Sequence, residues 1–389
     1  MRIVYVIGSM GLGGAEQHLQ RVSAALKRRG YEPEVFALNK EGPLLDAFVS
    51  SGVPVHGVTL PKWITRLVRN ERGLAWIGLF ASVSSLWWLL WRRKPAVVHF
   101  FLPAAYVIGG VVSLIGPKTI RVMSRRSLNL YQQRHRLSAR IERWLHQKMT
   151  FICGNSRAVL ADLSGEGVSS SKLRLIYNGI DTNLFKPQVA GDEVRRHLGI
   201  EQNSVVFVIV ANLIPYKGHC DLLEAFGVIK EQLPAQWRCL LVGRDDGIGT
   251  TLKGQATKLG IEENLLFLGA RRDVIDLMNA SDVGVLCSHE EGFSNAIIEG
   301  MLSGLPMVVT DVGGNAEAVV HHVHGLVVPP RQPRELAQAL LELAANMATR
   351  REMGLKARAS VIERFSLDTC VSKYEALYAG QLGLLVKEY

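Results

Sequence analysis

Short β-branched apolar runs alternate along this chain with longer segments of helical period, and the series runs twice. The first half carries IVYVIG, a helical segment from Ala15 to Arg29, EVFAL, a second helical segment near Leu44 to Ser50, then AVVHFF and TIRVM. Runs without a polar face must be covered on both sides, which a parallel sheet with crossover helices achieves. After Phe185 the polar, turn-rich KPQVAGDE reads as a linker. A second series then begins, with VVFVIVA, a helix over Asp221 to Gln232, RCLLVG, LLFLG, VGVLCS, PMVVT and GLVVP. At 389 residues the chain is too long for one ordinary core. The expectation is therefore an α/β fold of two Rossmann-like, doubly wound domains facing across a cleft. The expected spans are 1–186 and 187–365, with a C-terminal helix at about 366–389 that packs back onto the first.

Hydrophobic residues make up 48% and charged residues 21%, which excludes a disordered chain. Five scattered cysteines, Cys153, Cys220, Cys239, Cys287 and Cys370, form no CxxC pair. They point to a reducing compartment and to no zinc site. The chain opens directly into a strand without a basic lead or cleavage signature, so cytoplasmic residence is expected.

The net charge of +10 is unevenly shared. Residues 1–186 hold 26 basic against 10 acidic residues, and the remainder 19 against 25. From Arg72 to Ile141 there is no Asp or Glu, while Lys118, Arg121, Arg125, Arg126, Arg134, Arg136, Arg140 and Arg143 cluster. Such a patch suits membrane phospholipid, a lipid diphosphate or nucleic acid. Aromatic residues are not interleaved with these arginines in a stacking pattern, so nucleic acid is not the expected partner. Residues 73–91, GLAWIGLFASVSSLWWLLW, approach transmembrane length. Gly78, Ser82 and Ser85 on one stripe, and a strand a few residues on, favour a packed helix over an interfacial helix, and either over a span.

The chemistry concentrates in EEGFSNAIIEGMLSG, which ends at Gly304. Glu291 lies in a Gly-containing loop and Glu299 lies eight residues on, inside a helix. Ser294 is the expected N-cap, Ile297, Ile298, Met301 and Leu302 form the apolar stripe, and Gly304 with Pro306 ends the helix. Backbone N–H groups around Ser294 to Ile297 suit a phosphate or a sugar hydroxyl. Asn295 and Glu299, four apart, share a face, and a carboxylate there accepts hydrogen bonds from ribose hydroxyls, leaving Glu291 for a second sugar. Earlier, Gly13 and Gly14 in GSMGLGGAEQH would let the backbone approach a diphosphate or an acceptor. Glu16 occupies the third Gly position of a dinucleotide fingerprint, and no Walker A motif exists. Lys217 beside Gly218, in ANLIPYKGH, suits a phosphate.

The stretch FLGARRDVIDLMNASDVGVLCSHEEGFSNAIIEGMLSGLPMVVTDVGGNAEAV, with GNSRAV and LIYNGIDTNLF upstream, resembles the retaining glycosyltransferases of family 4, which have the GT-B fold. The resemblance implies sugar transfer from a nucleotide-linked donor, UDP or GDP, with retention and with neither metal nor other cofactor. It gives Glu299 the ribose and Glu291 the donor sugar. Gly292, Phe293, Ser294 and Asn295 would border that sugar through backbone amides. Lys217 would neutralise the diphosphate, Arg271 would lie near the base, and the Gly13–Gly14 loop would close over the diphosphate. Two positions depart from the family pattern. Asn212 stands where the family usually has Arg, and Ser124, Arg125 or Arg126 stand where it often has His; Arg126 is taken as the catalytic candidate. His99, Cys287 and His289 read as structural. The acceptor expected is a lipid-linked saccharide or polysaccharide precursor, met by a protein peripheral on the cytoplasmic face of an anionic membrane. The alternatives are an epimerase or phosphorylase on the same fold, and a non-enzymatic membrane- or nucleic-acid-binding protein.

Overall fold

In the computed structural model the described residues are 1–59, 70–129, 132, 135–183 and 190–380, with residues 71, 72 and 190 described by backbone alone. The chain divides into two compact units, Met1–Gly179 with the C-terminal segment from Leu367, and Ile180–Ser366. The division falls at Gly179, before the expected 186, and part of the expected linker is the helix Ala190–His197.

The first unit holds seven strands: β1 Arg2–Ile7, β2 Glu32–Ala37, β3 Val55–His56, β4 Val97–Phe101, β5 Ile120–Arg125, β6 Phe151–Gly154 and β7 Leu173–Leu175. They form one parallel sheet in the order β3-β2-β1-β4-β5-β6-β7, with Tyr5 of β1 opposite Val35 on one side and His99 on the other. Successive side chains of a strand point to opposite faces. Ile3, Tyr5 and Ile7 accordingly enter one core, whereas Val4 and Val6 enter another. The strands β3, β6 and β7 escape the sequence reading.

The first core is closed by the C-terminal helix Leu367–Tyr378, whose Cys370, Val371, Tyr374 and Leu377 are buried there. Polar groups fix its register. His99 is hydrogen-bonded to the Tyr378 hydroxyl at 2.7 Å and to Ser124 Oγ at 2.8 Å, and His18 meets the Tyr374 hydroxyl at 3.3 Å. Burial, assisted by the charge of Arg126, holds His99 well below the usual histidine pKa.

The opposite core is covered by the helices Glu71–Arg93, Pro103–Leu114 and Arg136–His146, which lie side by side. In the first of these, Leu86, Leu89 and Leu90 pack on the sheet, but Trp76, Phe80, Trp87, Trp88 and Trp91 are exposed. The helix is long and apolar enough to cross a membrane, and only 22% of its most apolar window is buried, so it is not the mostly covered packed helix that the sequence favoured. The central strand β4 begins four residues after Arg93.

The second unit has six parallel strands: β8 Val205–Val210, β9 Trp237–Val242, β10 Leu265–Gly269, β11 Val283–Leu286, β12 Met307–Thr310 and β13 Gly325–Val328. Their order is β10-β9-β8-β11-β12-β13, with Ile209 between Leu241 and Val285. Phe207, Phe226 and Trp237 form its aromatic centre, the last two stacked at 4.6 Å.

Candidate active site

In a doubly wound sheet the strand order reverses at one point, and loops leaving the carboxyl ends of the two strands there diverge to open a crevice. In the second unit that point lies between β8 and β11. The loop after β8 ends in the 3-10 turn Pro215–Lys217, and the loop after β11 carries Glu291. The two side chains meet in an ion pair and are mostly buried, at 18% and 12% exposure. Ser288 Oγ also donates to Glu291, at 2.9 Å.

Glycines hold this arrangement. Gly218, at φ 73°, turns the chain from Lys217 into the helix His219–Ile229, and a Cβ there would strike the carbonyl of Cys287. Cys287 Sγ donates to the Gly218 carbonyl at 3.2 Å, which accounts for its burial as a structural thiol. Gly313, at φ 53°, has its backbone against the carbonyl of Glu291, and Gly314 N–H donates to the Gly292 carbonyl at 2.9 Å. The GGN loop after β12 therefore buttresses the Glu291 loop, a role that only a residue without Cβ at Gly313 fills.

The helix Asn295–Leu302 starts at Ser294, in extended conformation, but the Ser294 hydroxyl makes no capping hydrogen bond. The expected side-chain cap is corrected to a backbone-only start. Asn295 and Glu299 are half-buried one turn apart, while Ile297, Ile298, Met301 and Leu302 are buried on the far side. Phe293 is buried against Phe365 at 5.3 Å, leaving its backbone for any ligand contact.

Asn212 donates to Asp246 at 3.1 Å and accepts from the backbone N–H of Arg244 at 3.2 Å, so a neutral amide held by a carboxylate stands where the family pattern has Arg. Arg244 itself is engaged by Asp246 at 2.6 Å. Arg271 is paired with Asp273 at 2.5 Å beyond edge strand β10, away from the Lys217–Glu291 pair in strand order. Three participants escaped the sequence reading: Ser288, Asp221, which meets His289 at 2.8 Å, and His219. His219 is fully buried beside Lys217, and burial, reinforced by the Lys217 charge, lowers its pKa to about 4. A Lys-Gly-His run gives no sign of this, because burial of a residue after a turn depends on the facing loop.

The other candidates belong to the first unit. Gly13 is the N-cap of the helix Gly14–Arg28, and the carboxylate of Glu16 lies where a Gly13 Cβ would stand. Glu16 also accepts from Ser9 Oγ at 3.2 Å, so a side-chain carboxylate occupies the helix start expected for a diphosphate. Leu102, at the end of β4, holds φ 70° and ψ 152°, a region almost reserved to glycine and a mark of functional loops. Ser124 is buried on His99. Arg125 is buried between Glu142 at 3.2 Å and Glu166 at 3.0 Å, which neutralise it. Arg126 donates to the neutral Asn178 and, among the described residues, forms no ion pair with a carboxylate; burial lowers its pKa. Arg134 lies outside the described residues. Among the described residues no group of three or more His, Cys, Asp or Glu is placed to hold a metal ion.

Residues 191–360 match the family described as Glycosyl transferases group 1, and residues 12–184 match Glycosyltransferase Family 4. The N-acetyl-alpha-D-glucosaminyl L-malate synthase of Bacillus anthracis is 30% identical over 207 residues, 53% of each chain, so the match spans about half of that relative. The UDP-Gal:alpha-D-GlcNAc-diphosphoundecaprenol alpha-1,3-galactosyltransferase of Escherichia coli is 26% identical over 314 residues, covering 79% of this chain and 81% of that one. Among solved structures, Anabaena Alr3699/HepE in complex with UDP and glucose aligns with a TM-score of 0.84 at 25% identity, over 97% of this chain and 99% of that chain. Two parallel sheets with flanking helices, and family matches along both halves, lead to one conclusion: the chain belongs to the family-4 glycosyltransferases of GT-B fold.

Proposed function

We propose that the protein transfers a sugar from a UDP- or GDP-linked donor to a lipid-linked saccharide or polysaccharide precursor, with retention at the anomeric carbon and without a metal ion. The observation that carries this reading is the Lys217–Glu291 pair at the β8/β11 switch point. A lysine held by a carboxylate is placed without being solvated, and an entering diphosphate competes for it. Lys217 then faces the charge that grows on the leaving phosphate as the bond to the sugar breaks. Glu291, released, accepts from the sugar hydroxyls, and Glu299 holds the ribose. Backbone amides of Gly292 to Asn295 border the sugar, and Arg271 is assigned to the base. Asn212 is the remaining phosphate candidate of the second unit. The protein works at the cytoplasmic face of an anionic membrane. The E. coli relative's diphosphoundecaprenol-linked acceptor supports the lipid-linked part of this reading, and the UDP and glucose bound to HepE support the donor.

Thermal unfolding in the presence of UDP, GDP and ADP tests it. A nucleotide at a hundred times its Kd stabilises the native state by about 2.7 kcal/mol, so one of the three is expected to raise the melting temperature. No shift with any of them would remove the donor site. Donor consumption that requires inorganic phosphate would replace transfer by phosphorolysis.

A further inference from the structure

The helix Glu71–Arg93 is apolar on both faces, and only one of them is covered. At 100° per residue Trp76, Phe80, Trp87, Trp91 and Trp88 fall within one arc of roughly 120°. Phe80 is 74% exposed and Trp76 71%. The neighbouring helix Arg136–His146 exposes Leu137 and Trp144 beside Arg136, Arg140 and Arg143. None of these three arginines is paired with a carboxylate among the described residues, whereas Arg125 beneath them is paired twice. Between the two helices, Pro103–Leu114 contributes exposed Val111 and, just beyond its end, Ile115. All three helices cover the same face of the sheet, so these side chains share one outer surface.

We infer that this surface docks flat onto an anionic phospholipid bilayer, with the Glu71–Arg93 helix lying in the interface and not crossing it. Two observations choose the occupant. The surface is flanked by unpaired arginines, and no acidic residue occurs from Arg72 to Ile141. A second copy of the chain, joined about a two-fold axis, would set this basic surface against itself, whereas anionic headgroups complement it. Tryptophan also favours the headgroup level, where its ring is in hydrocarbon and its N–H in water, and Arg92 over the Trp88 ring at 4.9 Å combines both contacts. A span is opposed by the packing of Leu86, Leu89 and Leu90 on the sheet. Pulling that face into lipid would open the core.

The inference deepens the lipid-linked acceptor reading and rests on it for its biological role. Flotation with phosphatidylcholine vesicles and with phosphatidylcholine–phosphatidylglycerol vesicles tests it on the full chain. Binding is expected to the anionic vesicles, with a blue shift of tryptophan emission and release by high salt. Each of Arg136→Gln, Arg140→Gln and Arg143→Gln should lower the partition coefficient about fivefold. The double variant Phe80→Ser, Trp91→Ser should lower it at least about tenfold. Equal binding to both vesicle types would overturn the proposal. So would undiminished binding by the double variant, a dimer that the double variant abolishes, or vesicle protein that resists both salt and alkali. The nucleotide-dependent thermal shift, which involves the second unit, should be the same in every variant. Its loss in the native protein would instead count against the donor site.

Discussion

Replacing Lys217 by methionine removes the ammonium and keeps the length of the side chain. Glu291, 12% exposed, is then left with Ser288 Oγ at 2.9 Å and no cation at its oxygens. An exposed ion pair contributes at most about 1 kcal/mol, and breaking a fully buried one costs about 3–5 kcal/mol. With both side chains mostly but not wholly buried, the variant should lose about 1–3 kcal/mol of stability. Glu291→Gln in the same chain removes the stranded charge, so the double variant should regain part of that loss. Transfer behaves differently. Loss of a group that faces developing charge lowers kcat by about a hundred- to a thousandfold, and the double variant should be no faster than Lys217→Met alone. Urea unfolding and release of nucleoside diphosphate under turnover read the two effects separately. A Lys217→Met protein that keeps kcat within about threefold would refute the role given to the lysine, even if its stability falls as expected.

Gly218→Ala should destabilise by about 2–4 kcal/mol, because φ 73° is strained for alanine and the new Cβ meets the backbone of Cys287, whose carbonyl carbon lies 2.9 Å away. An alanine variant with the native urea midpoint would show that this contact is dispensable. Acid should weaken the first unit through Glu166. Burial raises the pKa of this carboxyl, but hydrogen bonds from His146 and Arg125 outweigh it and bring the value to about 2, against 4.5 unperturbed. The unfolded chain thus takes up the proton first, so stability is fully present above pH 4.5 and falls by roughly 3 kcal/mol as pH drops toward 2. Six of the seven tryptophans belong to the first unit, so their emission follows it, and Glu166→Gln should flatten the profile between those limits. A variant with the native acid profile would contradict this.

The long strands were legible because β1, β8 and β9 are six residues of nearly continuous apolar sequence, which only a doubly covered parallel sheet explains. Their alternation with helices also carries the switch points, so the neighbourhood of Lys217 and Glu291 could be read before any coordinates. The contacts around them could not. That Ser288 donates to Glu291, that Gly313 supports it, and that His219 is buried behind Lys217 are facts about facing loops, and no period along one chain encodes them. The arginines show the same division. Their clustering was visible, but separating Arg125, neutralised by Glu142 and Glu166, from Arg126 on Asn178 required partners 17 to 52 residues away. The tryptophan segment was ambiguous because apolar composition is common to packed, interfacial and spanning helices. Only the exposure of one face separates them.

Calorimetric titration of UDP into the native protein and into Glu299→Ala tests the donor site most directly. A carboxylate that holds the ribose predicts one site per chain in the native protein, and an affinity lower by about ten- to a hundredfold in the variant, the cost of charge-assisted hydrogen bonds to both hydroxyls. Equal affinity in the two proteins would contradict it.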